Sequence, residues 1–279
     1  MFRKLVTLSI LIFTFTACIN QKFTQSDVFN PTKEFELTEN FTFKRYYIPS
    51  SDTSRLESWY LSETNAQINL IYLSGNASNI RSAIPFFNEL GRQLDLNIFS
   101  FNYRGYGLSD GTPSIDGIIE DGDIALDFFK DEIGNKDLPT IILGYSLGGF
   151  VALNMIKKDI VNSGVILSSF SSLEELQAYL LKEALPGIIR PFLKLEIDES
   201  IYKLDNNSLV KHNTKPILFI HGESDDFIPP SMSYTLHNLS PSAKKDIKII
   251  EKADHRMVLK NFVSNKLVVS EIKNFIRTE

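Results

Sequence analysis

Apolar residues recur along the chain with two periods, and the order of those periods sketches a fold. Phe41–Ile48 alternates aromatic and polar residues (Phe41, Phe43, Arg45, Tyr47), which predicts a half-buried strand. Arg55–Leu61 predicts a second strand, and Ser51-Asp52-Thr53 supplies turn chemistry between the two, so they pair as an antiparallel hairpin. Ile68–Leu73 is apolar throughout, as in strands covered on both faces, and Leu96–Asn102 reads the same way. Thr140–Leu143, Val165–Leu167, Ile217–His221 and Asp246–Ile250 supply further strands. Helical spacing fills the gaps: Ile80–Leu94; a run with Ile115, Ile118, Ile119, Ala125, Leu126 and Phe129 on one face; Phe150–Ile156; and Pro230–Asn238. A last helix spans Asn261–Ile276, with Phe262, Leu267, Val268, Ile272 and Ile276 apolar.

Two strands followed by alternating strands and helices predict an α/β fold. The expected form is a mainly parallel, eight-stranded sheet with helices on both faces and right-handed crossovers. In such sheets the site lies at the carboxyl ends of the strands, where the loops after Leu73, Asn102 and Tyr145 emerge. Phe170–Asn213 breaks the rhythm with one amphipathic helix, about Leu173–Leu185, then Pro186-Gly187, Pro191 and short helical pieces. This stretch, residues 171–213, reads as a small helical lid over the strand ends. Its Leu180, Leu181, Ile188, Ile189, Phe192 and Leu193 either line an acyl pocket or simply pack the lid down.

Composition narrows the class. The 279 residues are 43% hydrophobic and suit one enzyme-sized domain, expected as a monomer, spanning residues 41–279. A net charge of −5 without a basic stripe gives no footprint for nucleic acid. Arg3 and Lys4 precede the apolar run Leu5–Ala17, about 13 residues, too short to span a bilayer comfortably. The run ends in Phe15-Thr16-Ala17-Cys18, which resembles a bacterial lipobox with phenylalanine in place of the more usual leucine. That resemblance implies a signal peptide over residues 1–17 and lipidation of Cys18, the sole cysteine, on a bacterial envelope membrane. An uncleaved anchor, or a secretory signal with an incidental cysteine, is the competing interpretation. Asn20 to about Asn40 is polar without clear periodicity and is expected as a tether over residues 18–40.

The chemistry concentrates where a strand runs into Gly144-Tyr145-Ser146-Leu147-Gly148-Gly149 and then a helix. A serine with glycines at −2 and +2 between a strand and a helix matches the nucleophile elbow, a turn too tight for side chains at the flanking positions. A serine hydroxyl needs a base, and the base needs a carboxylate to fix its tautomer. Ser146, Asp225 and His255 follow in the chain order this fold uses, each after a predicted strand.

GYSLGG, HGESDDFIP, ADH before the last helix, and NYRGYGLSDGTPS together resemble the serine-hydrolase branch of the α/β-hydrolase superfamily. The likeness covers Phe41 to the C-terminus and is nearest to single-domain members with a Tyr-Arg-Gly-Tyr-Gly segment, whose eukaryotic relatives include membrane-associated acyl-thioester and lipid-ester hydrolases. It implies the α/β-hydrolase fold and no cofactor or metal. The motif His-Gly-x-x-Asp-x-x-aliphatic-Pro implies Asp225, not Asp226, as the acid, with His221 structural. His212, in the lid, and His237, in a helix, are left to ordinary roles. The resemblance also implies an oxyanion hole of backbone N–H groups from Leu147 and Asn76. Relatives usually have His-Gly where this chain has Ser74-Gly75, a departure that bears on the placement of Asn76. Arg104 is open between binding an anionic substrate group and pairing internally. The expected function is hydrolysis of carboxylic esters or thioesters, on a small-molecule or lipid acyl substrate, through an acyl-enzyme on Ser146. The rivals are a peptidase or amidase on the same fold and a non-catalytic lipid-binding lipoprotein; a serine at the elbow excludes the aspartate chemistry of haloalkane dehalogenases.

Overall fold

Strands that are apolar at every position can be satisfied only between two layers, and that is where the chain puts them. A computed structural model describes residues 19–33, 42–50, 54–186, 193–256 and 262–277. The leader and Cys18 lie outside the described residues, as do residues 51–53 of the expected turn and the lid residues Ile188, Ile189 and Phe192. β1 (Ile19–Phe23), β2 (Lys44–Pro49), β3 (Arg55–Leu61), β4 (Ile68–Leu73) and β5 (Leu96–Phe101) come first. β6 (Thr140–Tyr145), β7 (Val161–Leu167), β8 (Leu193–Ile197), β9 (Ile217–Gly222) and β10 (Lys245–Ile250) follow. Eight of them form one sheet in the order β10-β9-β7-β6-β4-β5-β3-β2. β2 and β3 pair antiparallel, β3 meets β5 antiparallel, and the remaining pairs are parallel.

Because side chains alternate across a strand, the sheet feeds two cores. Ile71, Leu73, Phe99, Phe101 and Ile142 enter one, together with α3 (Ile115–Phe128) and α4 (Leu147–Met155). Leu70, Tyr72, Ile98, Ile141 and Leu143 enter the other, with α2 (Ile84–Gln93) and α8 (Phe262–Arg277). α4 is buried at every residue, which explains why its sequence shows no polar face. It begins directly at Leu147, three residues earlier than the apolar run predicts, so the first helical N–H groups sit beside Ser146.

Two expectations need correction. The stretch expected as a tether packs on the domain over residues 19–33. α1 (Gln25–Val28) is capped by Thr24, whose side chain and backbone bond Asp27, and Phe29 enters the core at 7% exposure. Polar sequence without periodicity is compatible with an ordered strap when its backbone groups find partners in loops far along the chain. The lid is also not purely helical. Between β7 and β9 it holds α5 (Leu173–Ala184), then β8, a 3₁₀ turn at Glu199–Lys203 and α6 (Asn206–Val210). β8 pairs in parallel with β1, from Ile19↔Leu193 to Phe23↔Ile197, a strand partner supplied by the segment read as tether. α7 (Ser231–Leu239) precedes β10. Among the described residues no helix is long and apolar enough to cross a membrane.

Candidate active site

The sheet ends deliver the three predicted side chains to one place. Ser146 follows β6 with φ 53° and ψ −116°, a left-handed backbone that costs a non-glycine residue roughly 1–3 kcal/mol. The strain is held from behind: the Ser146 N–H donates to Leu167 O at 2.9 Å, and Ser146 O accepts from Gly149 N at 2.9 Å and from the Ser169 hydroxyl at 2.8 Å. Gly148 has no alternative. A Cβ there would lie 2.2 Å from Leu73 O, because the first turn of α4 rests on the end of β4.

His255 arrives from the loop after β10. Its Nε2 is 3.2 Å from Ser146 Oγ and its Nδ1 is 2.7 Å from Asp225 Oδ2. The ring stands between Tyr145 and Phe227, each with its centroid 5.3 Å away. The Tyr145 hydroxyl donates to His255 O at 2.6 Å, tying the histidine backbone to the elbow. Burial pushes the Asp225 carboxyl up, but hydrogen bonds from His221 and His255, the charge of His255 and the Ile228 N–H outweigh it and bring it down to about 2. Its Oδ1 accepts from the N–H groups of Phe227 and Ile228 at 3.1 and 2.9 Å. His221 Nε2 lies 2.8 Å from Ile228 O and 3.2 Å from Asp225 Oδ2, while Nδ1 meets the Ser233 hydroxyl at 2.6 Å. His221 therefore braces the acid loop from the core. Asp226 is exposed beside it. His212, in the lid, bonds Ser208 O through Nδ1, and the His237 ring packs on Phe219.

The loop after β4 lies against the elbow. A Cβ on Gly75 would come 3.1 Å from Ser146 Cβ and 2.9 Å from the Tyr145 ring, so only glycine passes there. This brings the loop that carries Asn76 against the elbow, and Leu147 N–H is a first-turn donor of α4 without an intrahelical acceptor. The Ser74 side chain is buried, and its hydroxyl finds no partner among the described residues; Ser74 O accepts from the Tyr103 hydroxyl at 3.0 Å. The loop is thus held through its backbone.

Arg104 resolves to internal pairing. It donates from Nε and Nη2 to Asp121 at 3.0 and 2.7 Å, and from Nη2 to Glu120 at 2.8 Å. Several supporting residues were given no role from the sequence. Glu57 is fully buried yet carries Arg81, Trp59, Asn102 and Leu108; Tyr106 donates to Asn76 Oδ1 at 2.7 Å. An acidic residue inside an apolar strand, as Glu57 is, was the one available hint. Among the described residues no three His, Cys, Asp or Glu side chains are placed to share an ion.

The chain takes the α/β-hydrolase fold, and the likenesses below are to proteins that carry it. Residues 64–199 match the family model described as "Serine aminopeptidase, S33". The chain is 27% identical over 228 residues to Protein bem46 of Schizosaccharomyces pombe, covering 80% of this chain and 73% of that one. It is 31% identical over 209 residues to the lysophosphatidylserine lipase ABHD12 of Macaca fascicularis, covering 69% of this chain and 51% of the relative. Among solved structures it is similar to the Pyrococcus furiosus esterase Pf2001, with a TM-score of 0.68, 20% identity, and coverage of 90% of this chain and 97% of that one.

Proposed function

We propose that the chain is a serine hydrolase of carboxylic esters or thioesters. The observation that carries this reading is the hydrogen-bonded line from Ser146 Oγ through His255 to Asp225, built on a strained elbow. In the reaction, Ser146 Oγ attacks the acyl carbonyl as His255 Nε2 takes its proton. The tetrahedral oxyanion accepts hydrogen bonds from the N–H groups of Leu147 and Asn76, each worth roughly 2.7–4 kcal/mol in the transition state. His255 then protonates the leaving alcohol or thiol, and Asp225 balances the imidazolium. A water activated by the same histidine releases the acid and restores Ser146. No cofactor is required by these steps.

Support for an ester substrate comes from the relative named as a lysophosphatidylserine lipase. The match to a model described as a serine aminopeptidase favours amides as the second reading. The two readings are separated by comparing p-nitrophenyl esters of graded acyl length, the matching thioesters and aminoacyl anilides on the purified chain. Ser146→Ala lowers turnover of the preferred substrate by on the order of 10⁴–10⁶. Near-wild-type esterase activity in that variant ends the reading, and a folded protein that a fluorophosphonate does not label favours a non-catalytic binder. The leader supports a membrane location through acylation of Cys18. Globomycin-sensitive processing and acyl labelling, both lost in Cys18→Ala, test it.

A further inference from the structure

We propose that the strap Gln25–Lys33 is a positioning element of the active site, which sets the oxyanion donor Asn76 through the side chain of that residue. The proposal rests on the hydrolase reading above, in which the Asn76 N–H receives the oxyanion.

Asn76 is exposed and lies next to Ala77, which sits at φ 55°; within the loop the peptide that carries the Asn76 N–H is held on one side, where Gly75 O accepts from the Ser78 hydroxyl at 2.8 Å. The carboxamide ties the residue to elements outside the loop. Oδ1 accepts from Tyr106 Oη at 2.7 Å, from the Asn30 N–H at 2.8 Å and from the Ala77 N–H at 3.0 Å. Nδ2 donates to Val28 O at 2.6 Å. Of these four bonds the strap supplies two, one in each direction, so the amide is gripped at both ends and cannot rotate without losing them. Both come from strap backbone, which explains why a polar sequence without periodicity suffices.

The strap is itself anchored on the loops that frame the site. Thr32 O accepts from Gly107 N at 2.9 Å and from Asn79 Nδ2 at 3.3 Å, and Lys33 Nζ reaches Ser109 O at 3.1 Å. Gln25 Oε1 accepts from the Ile115 N–H at 2.8 Å, and Phe29 is buried in the core. The strap therefore bridges the start of α3, the loop after β5 and the loop after β4. A hydrogen bond of this kind contributes modestly to stability, so its loss leaves the fold standing. A displaced donor in catalysis is more costly, because misplacement of about 1 Å loses on the order of 100-fold in rate.

Asn30→Pro removes from the grip the one N–H that meets Asn76 Oδ1 and the Tyr106 hydroxyl. Phe29 is already extended, with φ −91° and ψ 136°, as a residue before proline must be. The enzyme is titrated with a fluorophosphonate, and kcat and KM for a p-nitrophenyl ester are measured per labelled site. Asn30→Pro is expected to lower kcat about tenfold with KM within twofold, and Asn30→Ala, which keeps the N–H, restores the wild-type value. Asn76→Ala, which keeps the oxyanion N–H but loses the whole grip, is expected to fall at least as far with its melting temperature little changed. If both Asn30→Pro and Asn76→Ala hold kcat per site within twofold of wild type, the strap proposal is overturned while the hydrolase reading stands. A wild-type chain that shows no Ser146-dependent labelling overturns both.

Discussion

Glu57→Gln should be among the most damaging single-atom changes in the molecule. The Glu57 carboxylate is fully buried in β3 and its two oxygens accept from Arg81 Nη2 at 2.8 Å, Arg81 Nη1 at 3.2 Å, Trp59 Nε1 at 3.1 Å, Asn102 Nδ2 at 2.7 Å and Leu108 N at 2.9 Å. Burial pushes its pKa up, but the Arg81 hydrogen bond, then the Leu108 N–H, the Arg81 charge and Trp59, pull it below the ordinary value of 4.5. An amide presents an NH₂ to one set of these donors and leaves the Arg81 guanidinium, 8% exposed, without a counter-charge. Breaking one side of a buried pair costs about 3–5 kcal/mol, which at 2–4 °C per kcal/mol for a large domain is a fall in Tm of roughly 6–20 °C. The assay is thermal unfolding by circular dichroism at pH 7 for wild type, Glu57→Gln, Arg81→Met and the double variant. Because Arg81→Met removes the stranded charge, the double variant should be more stable than the sum of the singles by at least about 1 kcal/mol. As pH falls below the ordinary value of 4.5 the gap between wild type and Glu57→Gln should narrow, since a depressed carboxylate contributes above its unfolded pKa and loses that contribution as pH falls through the folded value. A Glu57→Gln protein within about 1 kcal/mol of wild type, or strictly additive effects, would refute the reasoning.

Two further outcomes follow from the site. Asp225, lowered from 3.8 to about 2, contributes about 2 kcal/mol of stability above pH 4 that disappears as pH falls through 2; Asp225→Asn should flatten that acid limb in pH-dependent urea unfolding, and an unchanged limb counts against the pairing with His255 and His221. Gly148→Ala places a methyl 2.2 Å from Leu73 O and 2.8 Å from Ser74 O, so it should separate the elbow from the oxyanion loop, costing roughly 1–3 kcal/mol and at least tenfold in ester turnover. Wild-type turnover in a melted-and-assayed Gly148→Ala protein would be incompatible with the close approach.

The sheet was legible in the sequence because its signals are local. Arg55–Leu61 and Ile68–Leu73 fall where alternation and unbroken apolarity place them, since the two faces of a strand are written in adjacent residues. Ser146, Asp225 and His255 were legible because each follows a strand in a parallel sheet, and parallel strand ends converge. The grip on Asn76 was not legible. Asn30 and Asn76 lie 46 residues apart, and one contributes only a backbone N–H that every residue but proline carries. β8 was missed for a related reason: its partner β1 is a segment that looks like linker until the pairing is known. The fate of Arg104 was open because Asp121, its buried partner, is a polar residue among the apolar positions of α3 and 17 residues away, so nothing local pairs the two.

The pairing of β1 with β8 has a consequence for where substrate is met. Ile19 stands beside Leu193, and neighbouring strands lie about 4.8 Å apart. Under the proposed acylation of Cys18, the fatty chains would attach one residue before that pair, which would hold the lid near the lipid headgroups instead of letting it range above them on a leash. An enzyme held this way samples a two-dimensional supply of substrate. Its rate then follows the mole fraction of substrate in the leaflet, and diluting the vesicles in buffer changes nothing.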